Sequence, residues 1–305
     1  MDRQLRDIEY FSVVAERGNV GRAAESLGLS QPALSKSLRR LEDSMEAKLL
    51  NRTSRGVELT AVGAALLSRV HRLRLALDDV TREVADLSQG RAGHLRIGTV
   101  PGLASHLLPA ACDLLIKDAP DMTLKLAVAG RSDTLSALRD GNLDLAVVGI
   151  RVGEDHDLVQ LHLYDDEFVV FSSPNHRLAL KKRVTLEDLA EERWALSSPT
   201  SPSWQRFHRA FADGGLPPPR ITIQTNSAVL RLPLVASSDL LVYMSRRVVR
   251  EIAAHFRLVE LAVKELAWSR RVGVIYRKDA YLSPAARRFI DILKATAKET
   301  AKVIG

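Results

Sequence analysis

Five side chains in the stretch from Gln31 to Leu41 could act together: Gln31, Ser35, Lys36, Arg39 and Arg40. Read as a helix, the stretch turns Ala33, Leu34, Leu38 and Leu41 inward and leaves the five polar residues on the other side. Amides and hydroxyls can read base edges in a DNA groove, and fixed cations grip phosphates. A plain solvated helix would more often pair Glu with Lys at i, i+4. Ser30 is placed as the N-cap of this helix, and Pro32 stands in its first turn, where a missing N–H costs nothing.

The neighbouring elements must hold that face in position. Ala23, Ala24 and Leu27 give a preceding helix a small apolar face, and Gly28 supplies the positive φ for a sharp exit. Two short helices joined this way make a helix-turn-helix. Leu5, Ile8, Phe11, Val13 and Val14 form an amphipathic first helix that supports the pair. Beyond it, LLNRTSRGVELT reads as a hairpin with Ser54, Arg55 and Gly56 at its tip, a wing that carries Arg52 and Arg55. Between Gln31 and Arg55 stand six cations (Lys36, Arg39, Arg40, Lys48, Arg52, Arg55) against three acids, so the basic excess surrounds the motif. For the whole chain the formal net charge is +7, which suits a polyanionic partner.

Thr60 caps the next helix. Within it Leu66, Val70, Leu73, Leu77, Val80, Val84 and Leu87 recur at steps of 4, 3, 4, 3, 4 and 3 residues. Such an a/d seam buries one helix against another, and a stripe this narrow predicts dimerisation; docking on the chain's own C-terminal part is the alternative. Gly90 and Gly93 end the helix.

From His94 onward strands and helices alternate. Strands are expected at 95–100, 123–129, 143–150, 167–172, 194–196, 221–225, 240–244 and 269–277. Helices are expected at 102–116, 132–139, 186–191, 202–212, 227–236, 246–256 and 284–298. The alternation makes α/β sheets, and two such sets imply two lobes with a ligand crevice where strand C-termini and helix N-termini meet. The loops placed there are Thr99–Gly102 with Val100 and Pro101, Gly130–Ser132 with Arg131, Ser197–Ser203, and Thr225–Ser227 with Asn226. Helix N-termini with Thr200, Ser201, Ser203 and Arg131 as added donors favour an anion, and a small carboxylate or similar anion is the expected effector. The alternative is that these hydroxyls merely cap their own helices.

No reacting constellation stands out. The eight histidines are scattered without metal-ligand spacing, and no P-loop, GxGxxG or GxSxG is present, so neither a catalytic site, a metal nor a cofactor is expected. Cys112 is the single cysteine, which rules out an internal disulfide and two-cysteine redox sensing. The segment MDRQLRDIEY has no apolar core for a signal peptide, and no run approaches a membrane span, so a cytoplasmic bacterial protein without membrane contact is expected.

The order helix-turn-helix, wing, heptad helix and two-lobed α/β domain resembles the LysR-type transcriptional regulators over the full length. AAESLGLSQPALSKSLRRLE and LLNRTSRGVELTAVG carry the likeness, with GLASHLLP and DLAVVGI as weaker signatures. The resemblance implies a winged helix-turn-helix in 1–60, a dimerising linker helix in 61–90 and an effector-binding domain in 91–305 that folds like periplasmic binding proteins. Its lobe I is expected in 91–165 and 267–305, and its lobe II in 166–266. The resemblance further implies that Gln31, Pro32 and Ser35 face base edges in promoter DNA, and Ser30 and Arg40 are counted with them among the expected DNA-binding residues. Lys36, Arg39 and Arg52 would touch phosphates, and Arg55 would enter the minor groove. A homotetramer on dyad half-sites, a small inducer between the lobes, relaxation of a DNA bend and exposure of the promoter to RNA polymerase are implied as well.

The chain departs from the family at VASSDLLVYMSRR, where Ser237, Ser238 and Asp239 replace a glycine-rich turn and Ser245 replaces a proline. Two rival functions remain at this point. A solute-binding protein would explain 91–305 but not the DNA-binding front end. A constitutive or architectural DNA binder would use the lobes only for oligomerisation.

Overall fold

The computed structural model describes residues 3–54, 56–89, 94–105, 107–151, 153–252 and 256–304. The chain divides into two compact units, 1–82 and 83–305. The division falls inside a long helix, residues 61–89.

In the first unit, α1 (Arg3–Arg17), α2 (Val20–Ser26) and α3 (Gln31–Ser44) pack around Phe11, Val14, Ala23, Ala24, Leu34, Leu38 and Leu41. The turn between α2 and α3 is closed by Gly28 at φ +64°. Leu29 N–H donates to the Ala24 carbonyl at 2.9 Å and Gly28 N–H to that of Glu25 at 3.2 Å, which satisfies the last carbonyls of α2. Strands β1 (Leu50–Thr53) and β2 (Gly56–Leu59) form the expected antiparallel hairpin, with Arg52 opposite Val57. Val57 N–H donates to the Gly18 carbonyl at 3.0 Å, and a Cβ on Gly56 would lie 2.2 Å from that same oxygen. Only glycine lets the wing approach the end of α1 so closely.

Thr60 caps α4 (Ala61–Gln89) through its Oγ1, which accepts from Gly63 N–H at 3.0 Å. The heptad positions split into two groups. Leu66 packs on the first unit's core and Val70 is buried, whereas Leu73, Leu77, Val80 and Val84 are each more than half exposed. The side chain of Leu87 lies outside the described residues, as do Gly90 and Gly93. Two of the seven positions thus belong to the fold of the first unit, and the open stripe runs from Leu73 to Val84.

The second unit is built on one nine-stranded sheet. Its strands are β3 (His94–Thr99), β4 (Thr123–Val128), β5 (Leu145–Gly149), β6 (Leu158–Ser172), β7 (Arg193–Leu196), β8 (Arg220–Gln224), β9 (Leu240–Ser245), β10 (Val259–Leu261) and β11 (Trp268–Arg277). They lie in the order β4-β3-β5-β11-β6-β9-β7-β8, with β10 beside β6. The helices are α5 (Pro101–Ala104), α6 (Leu107–Asp118), α7 (Arg131–Arg139), α8 (Leu186–Ala190), α9 (Pro202–Asp213), α10 (Ala228–Ala236), α11 (Arg246–Ile252) and α12 (Pro284–Ile304). Lobe I packs α6 and α12 on one face of its strands around Leu95, Ile97, Leu115, Val274 and Phe289, and α7 on the other around Leu135, Leu138 and Val148. Lobe II does the same with α8 and α9 around Trp194, Phe207, Phe211 and Tyr243, and with α10 and α11 around Leu232, Val235, Val242 and Val248. Cys112 sits in the lobe I core at 8 % exposure, and burial raises its thiol pKa.

Two expectations need correction, and one strand was not expected. The helix expected at 102–116 is two, α5 and α6, because the ring of Pro109 would clash with the carbonyl four residues earlier in a continuous helix. The strand expected at 167–172 begins at Leu158 and runs through fifteen residues. Strand β10 has no counterpart among the expected elements. Together β6 and β11 pair along ten residues and join the two lobes into one sheet.

Candidate nucleic-acid interface and effector site

Ser30 enters α3 with extended dihedrals, and its Oγ accepts from Ala33 N–H at 3.4 Å. One face of α3 is buried through Leu34, Ser37, Leu38 and Leu41. On the opposite face Gln31, Pro32, Lys36 and Arg39 are exposed and Ser35 is half-buried. Ala33, expected inward, is exposed: it lies one residue off the stripe. Among the described residues, Lys36, Arg39 and Arg52 form no ion pair, so their charge is available to phosphates. Arg55 lies outside the described residues.

Arg40 does not join that outer face. Its guanidinium binds the Asp7 carboxylate of α1, Nε at 3.0 Å and Nη2 at 2.6 Å, and the Ser37 hydroxyl donates to the same carboxylate. Burial alone would raise the Asp7 carboxyl; the bonds from Arg40 and Ser37 outweigh it and hold the pKa below the usual carboxylate range. Asp7 and Ser37 are thus positioning residues that the sequence reading passed over. A polar residue at 37, inside the stripe 34, 37, 38 and 41, was the available signal. Glu42 anchors the wing in the same way. It pairs with Lys48 at 2.7 Å and accepts from Leu49 N–H at 2.9 Å.

Strand register brings the second site together. In lobe I, β3 and β5 run parallel; in lobe II, β7, β8 and β9 run parallel in the opposite sense. Gly149 at the end of β5 lies opposite Val272, which pairs with Tyr164 of β6, and Ser245 at the end of β9 pairs with Phe168. The C-terminal edges of the two lobes therefore face each other across residues 164–168 of β6, where a ligand crevice is expected.

On the lobe I edge, Thr99 is buried and its hydroxyl donates to the Val147 carbonyl at 2.8 Å. Val100 precedes α5, with Pro101 and Gly102 half-buried in its first turn. Gly130 caps α7, and Ser132 is exposed. Arg131 is already engaged. It donates to the Gly149 carbonyl at 3.0 Å and to Asp155 at 2.7 Å, and Arg139 binds Asp155 from the other side at 2.6 Å. The free donor expected there is an internal brace, because Asp155, held in a left-handed turn at φ 57°, reaches back to it.

On the lobe II edge the hydroxyls gather. Ser197 lies 2.5 Å from Ser201 and 3.3 Å from Ser203, oxygen to oxygen, and Ser201 caps α9 by accepting from Trp204 N–H at 3.2 Å. Thr200 bonds Ser198 at 2.7 Å. Asn226 Oδ1 accepts from Ser198 N–H at 2.9 Å, and Thr225 N–H donates to the Leu196 carbonyl at 2.9 Å, so the loops after β7 and β8 form one wall. An open depression of about 420 Å³ beside Ile150, Asp155, His156, Gln160 and His162 includes none of the expected effector residues.

The departures from the family pattern have local reasons. Ser237 stays at φ −103°, so its turn needs no glycine; the Ser237 and Ser238 hydroxyls donate to Pro233 and Leu234 carbonyls at 2.9 and 2.5 Å, and Asp239 pairs with Arg193. Ser245 donates to the buried Asp166 at 2.5 Å and accepts from Val248 N–H at 3.2 Å. Arg270 of β11 binds the other Asp166 oxygen at 2.8 Å.

Two family models match the chain: "Bacterial regulatory helix-turn-helix protein, lysR family" over residues 5–64, and "LysR substrate binding domain" over residues 88–298. The HTH-type transcriptional regulator GbpR of Azospirillum brasilense is 29% identical over 301 residues, covering 96% of this chain and 86% of that one. The SDS degradation transcriptional activation protein of Pseudomonas sp. (strain ATCC 19151) is 32% identical over 287 residues, 92% of each chain. The solved structure of full-length CbnR complexed with target DNA matches with a TM-score of 0.61 at 20% identity, over 97% of this chain and all of that one. That likeness speaks for the fold.

Proposed function

The chain belongs to the LysR family of bacterial transcriptional regulators, and on that footing we propose that it binds promoters at dyad half-sites and switches its activity with a small anion. The exposed face of α3 carries this reading: Gln31 and Ser35 offer groups that discriminate bases, while Lys36, Arg39 and, from the wing, Arg52 hold phosphates. The exposed stripe Leu73, Leu77, Val80 and Val84 supports pairing of two copies through α4, as dimers and as a tetramer of two dimers. Two copies present two recognition helices, which fits half-sites of dyad symmetry.

Support for an anionic effector comes from the lobe II wall, where Ser197, Thr200, Ser201 and Ser203 lie beside the N-termini of α9 and α10. Thr99–Gly102, Gly130, Ser132, Thr225 and Asn226 complete the crevice. Arg131 serves as a brace of the lobe I edge and not as a ligand. Binding between the lobes would reset the spacing of paired half-site readers, relax a DNA bend and admit RNA polymerase in the cytoplasm. With one buried cysteine, a two-cysteine redox signal is not its input. No helix among the described residues is long and apolar enough to cross a membrane.

Recovery and sequencing of the DNA occupied in the native cell tests the reading. Enrichment at a few promoters with dyad half-sites supports it. Diffuse occupancy would instead mark an architectural DNA binder.

A further inference from the structure

Among the described residues, the buried guanidinium of Arg231 in lobe II lacks a counter-ion. Arg231 stands on the stripe Ala228, Arg231, Leu232 and Val235 that α10 turns inward, and only 6 % of its surface is exposed. The other members of that stripe pack with Ala195, Val242 and Met244, an apolar setting. Its Nε and Nη1 have no hydrogen-bond partner, and among the described residues no carboxylate pairs with it. Burial lowers its pKa to about 10, so it remains charged at neutral pH.

A buried guanidinium in this condition is unfavourable until an anion completes it. Its direction follows from helix geometry. Side chains lean toward the N-terminus of their helix, so Arg231 leans toward the end of α10 that Ser227 caps. That end follows β8, and Thr225 and Asn226 tie it to Leu196 and Ser198 beside the Ser197, Ser201 and Ser203 hydroxyls. A cation in the second turn also opposes the helix dipole. Helix terminus and guanidinium lack the same thing, a negative charge.

We propose that Arg231 holds the carboxylate of the effector, with the hydroxyls of Ser197, Ser201 and Ser203 and the N-termini of α9 and α10 around it. The inference rests on the effector-responsive reading above. A guanidinium fork matches a carboxylate through two parallel hydrogen bonds, so the ligand class is an organic carboxylate.

The test uses the full chain and its Arg231→Met and Arg231→Lys variants. Thermal unfolding and titration are followed with acetate, lactate and benzoate, and with sulfate and phosphate as inorganic controls at constant ionic strength. The expected results are a carboxylate-dependent rise in the wild-type melting temperature and a higher ligand-free melting temperature for Arg231→Met. That variant should also bind the same carboxylate at least about 30-fold more weakly, with Arg231→Lys between the two. Equal carboxylate shifts in wild type and Arg231→Met overturn the proposal, and so does a wild type stabilised only by the inorganic ions or by none of the probes. Operator binding measured in parallel separates the two readings. A carboxylate shift through Arg231 that leaves DNA binding unchanged defeats the regulatory reading alone. A DNA response to an uncharged compound, equal in wild type and Arg231→Met, defeats this inference alone.

Discussion

Arg40 of the recognition helix closes on Asp7 of the first helix, with Nη2 2.6 Å from the carboxylate. The contact fixes the rotation of α3 against α1, and with it the direction in which Gln31, Ser35, Lys36 and Arg39 point. On the proposed reading, Arg40 should affect DNA binding through the orientation of the helix, and its neighbours Lys36 and Arg39 through contact.

Replacing Arg40 with Met should destabilise the first unit by about 1–2 kcal/mol, since it strands a buried carboxylate. The cost falls short of a fully buried pair because Arg40 is itself 36% exposed. Asp7→Asn in the Arg40→Met background should recover part of the loss. Urea unfolding followed in both variants checks this, and a double variant no more stable than the single one would remove the pairing argument.

Acid should loosen this unit. A carboxyl whose folded pKa is depressed contributes stability above its unfolded pKa and loses it as pH falls through the folded value. Asp7 and Glu42 both titrate below their ordinary values of 3.8 and 4.5. Stability should thus be level near neutrality and fall below about pH 4, less steeply in Asp7→Asn. Thermal melts from pH 6 downward read the difference, and parallel curves for the two proteins would contradict it.

Base and phosphate contacts should separate by their salt response. Gln31→Ala or Ser35→Ala should relax preference among operator sequences. Lys36→Ala, Arg39→Ala or Arg52→Ala should weaken binding to every sequence and reduce the salt slope by about 1 each. Binding titrations on operator and scrambled DNA at several salt concentrations decide it. Identical specificity profiles for the two groups would mean the roles are wrongly divided.

The open stripe on α4 predicts a change of mass. Glu in place of Leu77 or Val80, each more than half exposed in the single chain, should lower the mass in light scattering and weaken operator binding at least about tenfold. Val70→Glu should unfold the first unit instead, because Val70 is already buried. Unchanged mass in the Leu77 and Val80 variants would place the dimer contact elsewhere.

Ser245 predicts a coupling. Ser245→Ala should cost about 1–2 kcal/mol, by removing both the cap on α11 and the donor to Asp166. A double-mutant cycle with Asp166→Asn should show non-additivity in thermal melts. Strictly additive losses would show that the two residues act apart.

The sequence was most legible where one residue type decides one local geometry. Gly28 at positive φ, Ser30 and Thr60 as caps, and the wing hairpin all stand where their chemistry requires. The fold class followed from the alternation of strands and helices. Less was legible where a partner distant in sequence decides. The first half of β6 reads as polar, because Gln160, His162 and Asp165 interrupt it, and its pairing partner β11 lies more than a hundred positions away. Arg40 and Arg131 look like surface cations until Asp7 and Asp155 are seen beside them. Conversely, Arg231 lies in an otherwise apolar helix, and its isolation is visible only once burial is known.

Cys112 gives lobe I a built-in clock. Its thiol is enclosed by α6 packing against the sheet and α12, and it is the single cysteine of the chain. A thiol reagent can then modify only molecules in which α6 has momentarily lifted, and the labelling rate measures how often that happens. A compound that settles the lobes slows the reaction without any reporter being added, so candidate effectors can be ranked by the time the native thiol stays hidden.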